Sequence, residues 1–297
     1  MNRDTRGVLF TLFGGIFWGF SGACGQYLFT NYHVDSGWLT NIRLLGAGVV
    51  LVLLSLLKDR ERSLGIWKNK RDGLQVILFA IFGLLFCQYA YLTAISYSNA
   101  GTATVLQYLG PVLIMALVCI RRRRLPGKKE ITAIILAVLG TFLLATHGDP
   151  SSMVLSPRGL TWGLISAISL ACYTLLPAGI IPKWGSLVVT GYGMLIGGVV
   201  LGIGQKVWTI PVNLDLKGYL ALAGIVVVGT ILAYTMYLQG VGDIGAVRAS
   251  LLSSVEPVSA TMFSVFWLHT DFQIIDLAGF VCIMATVFLL AKRSEQR

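Results

Sequence analysis

The sequence predicts an all-α integral membrane protein of ten transmembrane helices, arranged as two inverted five-helix repeats with both termini cytoplasmic. Three observations lead there. Hydrophobic residues make up 56% and charged residues 12% of the 297-residue chain, with a mean hydropathy of +0.77, whereas a soluble domain carries about 25% charged residues. The apolar residues gather into ten runs near the length that crosses about 30 Å of hydrocarbon at 1.5 Å per residue. One stretch also occurs twice: Leu232–Val258, LAYTMYLQGVGDIGAVRASLLSSVEPV, lines up without a gap on Phe86–Val112, FCQYAYLTAISYSNAGTATVLQYLGPV.

The runs cover about 7–30, 37–57, 72–95, 100–120, 130–147, 159–181, 186–204, 217–238, 245–268 and 273–291. No stretch between them is long enough for a soluble domain. The first run is too long for a cleaved signal peptide and lacks an Ala-x-Ala site after it. Ser21-Gly22-Ala23-Cys24 is faintly similar to a lipoprotein cleavage box but lacks its leading aliphatic residue.

Basic residues orient the runs. With the N-terminus inside, the inner segments hold Arg3, Arg6, Lys58, Arg60, Arg62, Lys68, Lys70, Arg71 and Arg121 to Arg124. They also hold Lys128, Lys129, Lys183, Arg248, Lys292, Arg293 and Arg297, while the outer segments hold only Arg158, Lys206 and Lys217. Lysine and arginine resist translocation, so both ends are expected in the cytoplasm. The net charge of +10 then reads as positive loops meeting anionic lipid headgroups rather than as a nucleic-acid surface.

In the repeated stretch Tyr91 falls on Tyr237, Leu92 on Leu238, Ala100 on Ala246, Ala103 on Ala249, Leu106 on Leu252 and Pro111 on Pro257. One helix is expected to end near Tyr237, turn through Gly240, Gly242 and Gly245, and lead into another; Ser96 to Asn99 makes the same turn in the first copy. Arg6-Gly7 and Arg158-Gly159 open the two units, with Trp18-Gly19 matching Leu170-Ala171, which divides the chain into residues 1–150 and 151–297. Five helices per unit send the second unit through the membrane from the opposite side. Such inverted halves can exchange conformations around a solute held near the midplane, which is the logic of a carrier.

The two five-helix units, the Trp-Gly late in the first run, an arginine early in the second and the Pro-Val in the fourth and ninth resemble the drug/metabolite transporter superfamily, in its EamA-like branch. The resemblance covers nearly the whole chain. It implies a plasma-membrane carrier, usually an exporter of amino acids or related small metabolites, with no cofactor. The Gly-Glu pair often found after the fourth and ninth helices is missing: Arg121 to Arg124 stand in one place and Leu268-His269-Thr270 in the other.

Polar residues inside the runs are costly unless paired or hydrated. Arg43 fits two roles: snorkelling toward outer headgroups, or binding a carboxylate or acting as a gating cation, as the resemblance implies. Glu256, the one clearly midmembrane acid, can pair with Arg43, hydrogen-bond while protonated, or carry a proton during transport. Trp18, Gln88, Tyr91, Gln107, Tyr108, Tyr173 and Tyr234 are expected to line a wet aromatic cavity with these two, and Gln26, Thr104 and Tyr237 extend it. The competing reading is interfacial belts and packing, which suits Trp38, Trp67, Tyr97, Trp184, Trp208 and Trp267 near run ends.

Pro111 and Pro257 are either static kinks or hinges. Gly15-x3-Gly19, Gly193-x3-Gly197 and Gly198-x3-Gly202 have helix-packing spacing. The five cysteines read as small hydrophobes without metal-ligand spacing, and His33, His147 and His269 all fall near the outer face. Nucleophile–base pairs, paired buried aspartates and phosphate-cradling glycine motifs do not stand out, so an enzyme is disfavoured. The expectation is a secondary transporter of a small polar or amphipathic metabolite, outward, in contact with lipid, with a proton or another ion as coupling partner. Uptake or exchange and, further off, a non-transporting scaffold are the alternatives; solute, ion and oligomer stay open.

Overall fold

A computed structural model describes residues 2–121, 123, 125–149, 154–245, 249 and 252–294, with the backbone alone for 118, 121, 287 and 290–294. Arg122, Arg124, Ala246, Arg248 and Arg297, named above, lie outside the described residues. The described chain is helical throughout, with no strand.

The first half comprises α1 (Arg3–Tyr32), α2 (Ser36–Lys58), a short α3 (Arg60–Lys68), α4 (Lys70–Ser96), α5 (Ala100–Gln107), α6 (Gly110–Arg121) and α7 (Lys128–Thr146). The second comprises α8 (Pro157–Gly179), a single turn α9 (Ile181–Trp184), α10 (Ser186–Gln205), α11 (Leu216–Ile244), α12 (Val255–Phe266) and α13 (Ile274–Ser294). Eight of the expected runs form helices long and apolar enough to cross a membrane, α5 and α6 together making one of them; the ninth and tenth form shorter apolar helices, Val255–Phe266 and Ile274–Thr286.

Local chemistry sets the helix starts. Asp35, Asn99, Ser156 and Asp215 accept the backbone N–H of Trp38, Thr102, Gly159 and Gly218 at 2.8–3.0 Å, satisfying donors that a first turn leaves unpaired. Asp215 also accepts the Tyr32 hydroxyl, and that bond, followed by the Gly218 N–H, holds its carboxyl below the usual range. Because the shift is downward, this tie between α1 and α11 is present at neutral pH and is lost only as pH falls through the lowered value. The three histidines also have a structural role. His33, His147 and His269 follow helix ends in the left-handed conformation, at φ 49°, 50° and 53°, a region in which histidine is several-fold enriched.

The turn expected at Gly240 and Gly242 does not exist. α11 runs on to Ile244, and only Gly245, at φ +84°, leaves the helix. Gly240 is instead a contact glycine: a Cβ there would lie 2.1 Å from Thr11 Oγ1 and 3.0 Å from the Gly7 carbonyl. Ser96 to Asn99 does turn, with Ser98 Oγ donating to the Ala94 carbonyl at 2.6 Å and Asn99 capping α5.

Both prolines expected as hinges sit just past interruptions. Tyr108 and Leu109 break the helix before Gly110-Pro111, and Ser253 and Ser254 break it before Val255-Glu256-Pro257. A proline supplies no N–H to the carbonyl four residues back and its ring crowds that carbonyl, so the break falls in the preceding turn. Glu256 is therefore in the first turn of α12 rather than at a helix centre.

The packing pairs mirror one another. α1 lies along α11 and α12, while α8 lies along α4 and α5; α2 pairs with α10 and α7 with α13. α4 and α11 each contain a π-helical segment, Phe79–Leu85 and Gly224–Leu232, leading into the aligned stretches at positions that the same offset superposes. The expected glycine spacings serve close approach. A Cβ on Gly19 would meet the Ala260 nitrogen at 2.6 Å, and one on Gly198 would meet the Leu45 nitrogen at 2.9 Å. Gly48 comes closest to backbone, 2.5 Å from the Leu195 nitrogen, whereas Gly204 on the same α2–α10 pair has nothing within 4 Å. We predict that Gly48→Ala lowers stability by about 1–3 kcal/mol, the cost of forced overpacking, and that Gly204→Ala stays within about 0.5 kcal/mol of the parent. Unfolding of the detergent-solubilised variants checks both.

Candidate substrate site

The two interruptions face each other. The Tyr108 hydroxyl, at the end of α5, donates across to the Ser253 carbonyl at 3.2 Å and to Glu256 Oε2 at 3.1 Å. Ser253 lies four residues before Pro257, so its carbonyl is the one that loses its regular helical partner; it takes the Glu256 N–H at 3.0 Å in a tighter turn instead. Glu256 sits in the first helical turn of α12, where the helix dipole favours negative charge.

A second group of side chains crosses between α4 and α11. Gln88 Nε2 donates to the Tyr234 hydroxyl at 3.3 Å; the gapless alignment makes these two residues counterparts, so the halves touch here through equivalent positions. Tyr173 of α8 packs into the same cluster as Tyr234 and Trp18. Trp18 packs on Tyr234 edge-on at 5.2 Å between ring centroids and on Tyr237 at 5.0 Å. Tyr91 is buried against Gly22, where a Cβ would lie 2.7 Å from its hydroxyl. Since Thr104 spends its proton on the Ala100 carbonyl at 2.7 Å, Tyr91 is the donor in the 2.8 Å bond between them.

Arg43 does not snorkel. It is 4% exposed, and its Nε donates to Thr230 Oγ1 at 3.0 Å inside the bundle. Thr230 can receive it because the π-helical segment of α11 lets its own hydroxyl bond the Ile225 carbonyl five residues back, at 2.8 Å. Arg43 and Glu256 form no direct ion pair: Arg43 is held by Thr230 of α11 and Glu256 by Tyr108 of the opposite half.

The nine expected site residues fall into separate groups, with Trp18, Tyr108, Tyr173 and Glu256 only half-buried. Trp18, Gln88, Tyr173 and Tyr234 form one contact set, Tyr108 and Glu256 another, and Arg43 stands on Thr230. Tyr91 and Gln107 point into local partners, Gln107 Nε2 donating to Cys87 Sγ at 3.6 Å, so Cys87 is more than a filler. Gln26 stands apart from these groups, lining a separate cleft with Tyr27, Asn31 and Trp267. It pins the start of α5 to the end of α12, accepting from Ala100 N and Ser264 Oγ at 2.8 and 3.0 Å and donating to Thr270 at 2.7 Å. Tyr89 turns away onto Trp162, at 5.5 Å between rings. Thr230, Ser253 and Ser21 escaped the sequence reading. Thr230 was legible only as the lone polar residue of GIVVVGTIL, and nothing in that run announces a π turn.

Leaving the Tyr108 cross-link out should cost stability without unfolding the helices. Tyr108→Phe is predicted to destabilise the solubilised protein by about 1.5–3 kcal/mol, the range for a hydrogen bond to a charged group, with unchanged helix content by circular dichroism. Tyr97→Phe, on an exposed side chain, should leave stability unchanged.

Comparison with known proteins bears on this arrangement. The model of the EamA-like transporter family matches residues 5–146 and again residues 157–292. The chain is 39% identical over 300 residues to the inner membrane transporter YicL of Salmonella typhimurium, covering 100% of this chain and 99% of that protein. It is 24% identical over 248 residues to the transporter YyaM of Bacillus subtilis, covering 82% and 80%. A solved structure superposes with a TM-score of 0.65 at 17% identity over 98% of this chain and 99% of the other, which shows a shared fold.

Proposed function

The chain belongs to the EamA-like transporter family and is a multi-pass transporter of the inner membrane, and from this we propose that it carries a small metabolite, an amino acid or related compound, outward by alternating access. In this reading it has ten spanning segments in two inverted halves, residues 1–150 and 151–297, with both termini in the cytoplasm. Arg43 and Glu256 supply charge recognition; Trp18, Gln88, Tyr91, Gln107, Tyr108, Tyr173 and Tyr234 surround the solute; Pro111 and Pro257 mark the hinges.

The observation that carries the proposal is the Tyr108 bridge to Ser253 and Glu256. Two helices interrupted at equivalent positions meet there, and a carboxylate sits at the junction. Interrupted helices whose ends face one another near the centre of a bundle are where carriers place substrate and coupling ions. The mirrored packing of α1 on α11 and α12, and of α8 on α4 and α5, supports inverted halves: exchanging the halves maps each pair onto the other. Glu256 then acts as the coupling group. Protonated, it donates to a neighbour and is neutral; ionised, it accepts from Tyr108 and is free to take a cationic group of the solute or release it.

The test is counterflow in proteoliposomes loaded with labelled amino acids and organic acids. Saturable exchange of at least one solute is expected. A channel would move solute without counterflow, and a scaffold would move none. Glu256→Gln should keep exchange at equal solute on both sides and lose the movement driven by a pH gradient. A variant whose pH dependence matches the parent would remove the coupling role.

A further inference from the structure

Three buried polar atoms in this region have no hydrogen-bond partner among the described residues: Trp18 Nε1, Ser21 Oγ and Arg43 Nη1. They come from two helices and converge on one short piece of a third. Trp18 and Ser21 are three residues apart on α1 and so share a face. Trp18 packs on Tyr234, and the Ser21 Cβ stands where a Cβ on Gly229 would lie, 2.1 Å away. Arg43 is tied to Thr230, the residue after Gly229, through Nε alone, which leaves Nη1 directed past it. The target is therefore the stretch 229–234 of α11, at the end of its π-helical segment.

The chemistry of the trio is one-sided. The indole N–H and the guanidinium only donate, and the serine hydroxyl can donate as well. Ser21 is 1% exposed and Arg43 4% exposed; donors buried like this are expensive to leave unmatched, the guanidinium most of all. What satisfies them brings acceptor oxygens and a negative charge. One negative charge suffices, because Glu256 packs on the same stretch of α1, its carbonyl 2.9 Å from where a Cβ on Gly19 would lie, and would repel a doubly charged group.

Resting on the transporter reading above, we propose that Trp18, Ser21 and Arg43 form a three-donor cradle for the carboxylate of the transported solute. Arg43 supplies the charge, while Trp18 and Ser21 set the orientation. The rest of the solute extends toward Tyr108 and Glu256. A monocarboxylate is thereby selected over its neutral amide. Ser21 is a specificity residue that the sequence gives no sign of.

The purified full-length protein can be titrated with matched pairs, each amino acid or organic acid against its own amide, by thermal shift and equilibrium binding. At least one acid is expected to stabilise the protein while its amide does not. Ser21→Ala and Trp18→Phe should each weaken acid binding on the order of tenfold and Arg43→Gln on the order of a hundredfold, the range for bonds to a charged acceptor. Ser21→Ala removes one oxygen from a tight contact and keeps the fold, so it remains informative if Arg43→Gln fails to assemble. Equal binding of acid and amide, no stabilisation by any acid at millimolar concentration, or full acid affinity in Ser21→Ala and Trp18→Phe each overturn the cradle. Acid-selective binding without counterflow overturns the carrier and leaves the cradle standing. Counterflow without acid selectivity does the reverse.

Discussion

Everything in the interior is arranged around one constraint: a polar group in an apolar bundle has to find its partner on another helix. The Tyr108 hydroxyl shows how this is met. Pro257 takes the helical partner from the Ser253 carbonyl, and the vacated position, with the Glu256 carboxylate beside it, is filled from the opposite half. The same rule explains Gln88 on Tyr234 and Arg43 on Thr230. These contacts are few, and each joins parts of the chain far apart in sequence. They join the packing sets with polar bonds, while within each set helices of the two halves meet at close glycine contacts.

That division has a mechanical consequence. α1 with α11 and α12, and α8 with α4 and α5, form two packed rods. The Arg6 guanidinium clamps α1 to Asp243 near the end of α11 at 2.8 Å, and Tyr32 ties the other end of α1 to Asp215. The counterpart of the first clamp is softer: Arg158 lies 5.7 Å over the Tyr97 ring. The bonds of Tyr108, Gln88 and Gln26 run from one set to the other.

The sequence revealed the frame well and the site in outline. Ten apolar runs and the doubled Phe86–Val112 stretch mark most helix edges within a few residues, because hydrophobic length is local; the caps at Asp35, Asn99, Ser156 and Asp215 came only with the structure. Arg43, Glu256 and the residues around them drew notice because polar residues stand out in apolar runs. Failures came where tertiary contact decides. Gly240 and Gly242 look like turn residues, yet Gly240 is needed for the approach of α1 and stays helical. Gln26 looks like a cavity residue, yet three bonds commit it to holding α5 to α12. The π-helical segments that place Thr230 under Arg43 leave no mark in composition, since they depend on how α4 and α11 pack.

What matters most is whether the rods separate and rejoin around the Tyr108 junction. Spin labels at Asn31, near the end of α1, and Tyr97, just past the end of α4, both exposed, report on that motion through double electron–electron resonance in reconstituted protein. The account predicts two distance populations whose ratio shifts when a transported acid is added, and a shift in the same equilibrium in Tyr108→Phe. A single distance, unmoved by solute and by the loss of that hydroxyl, would contradict it.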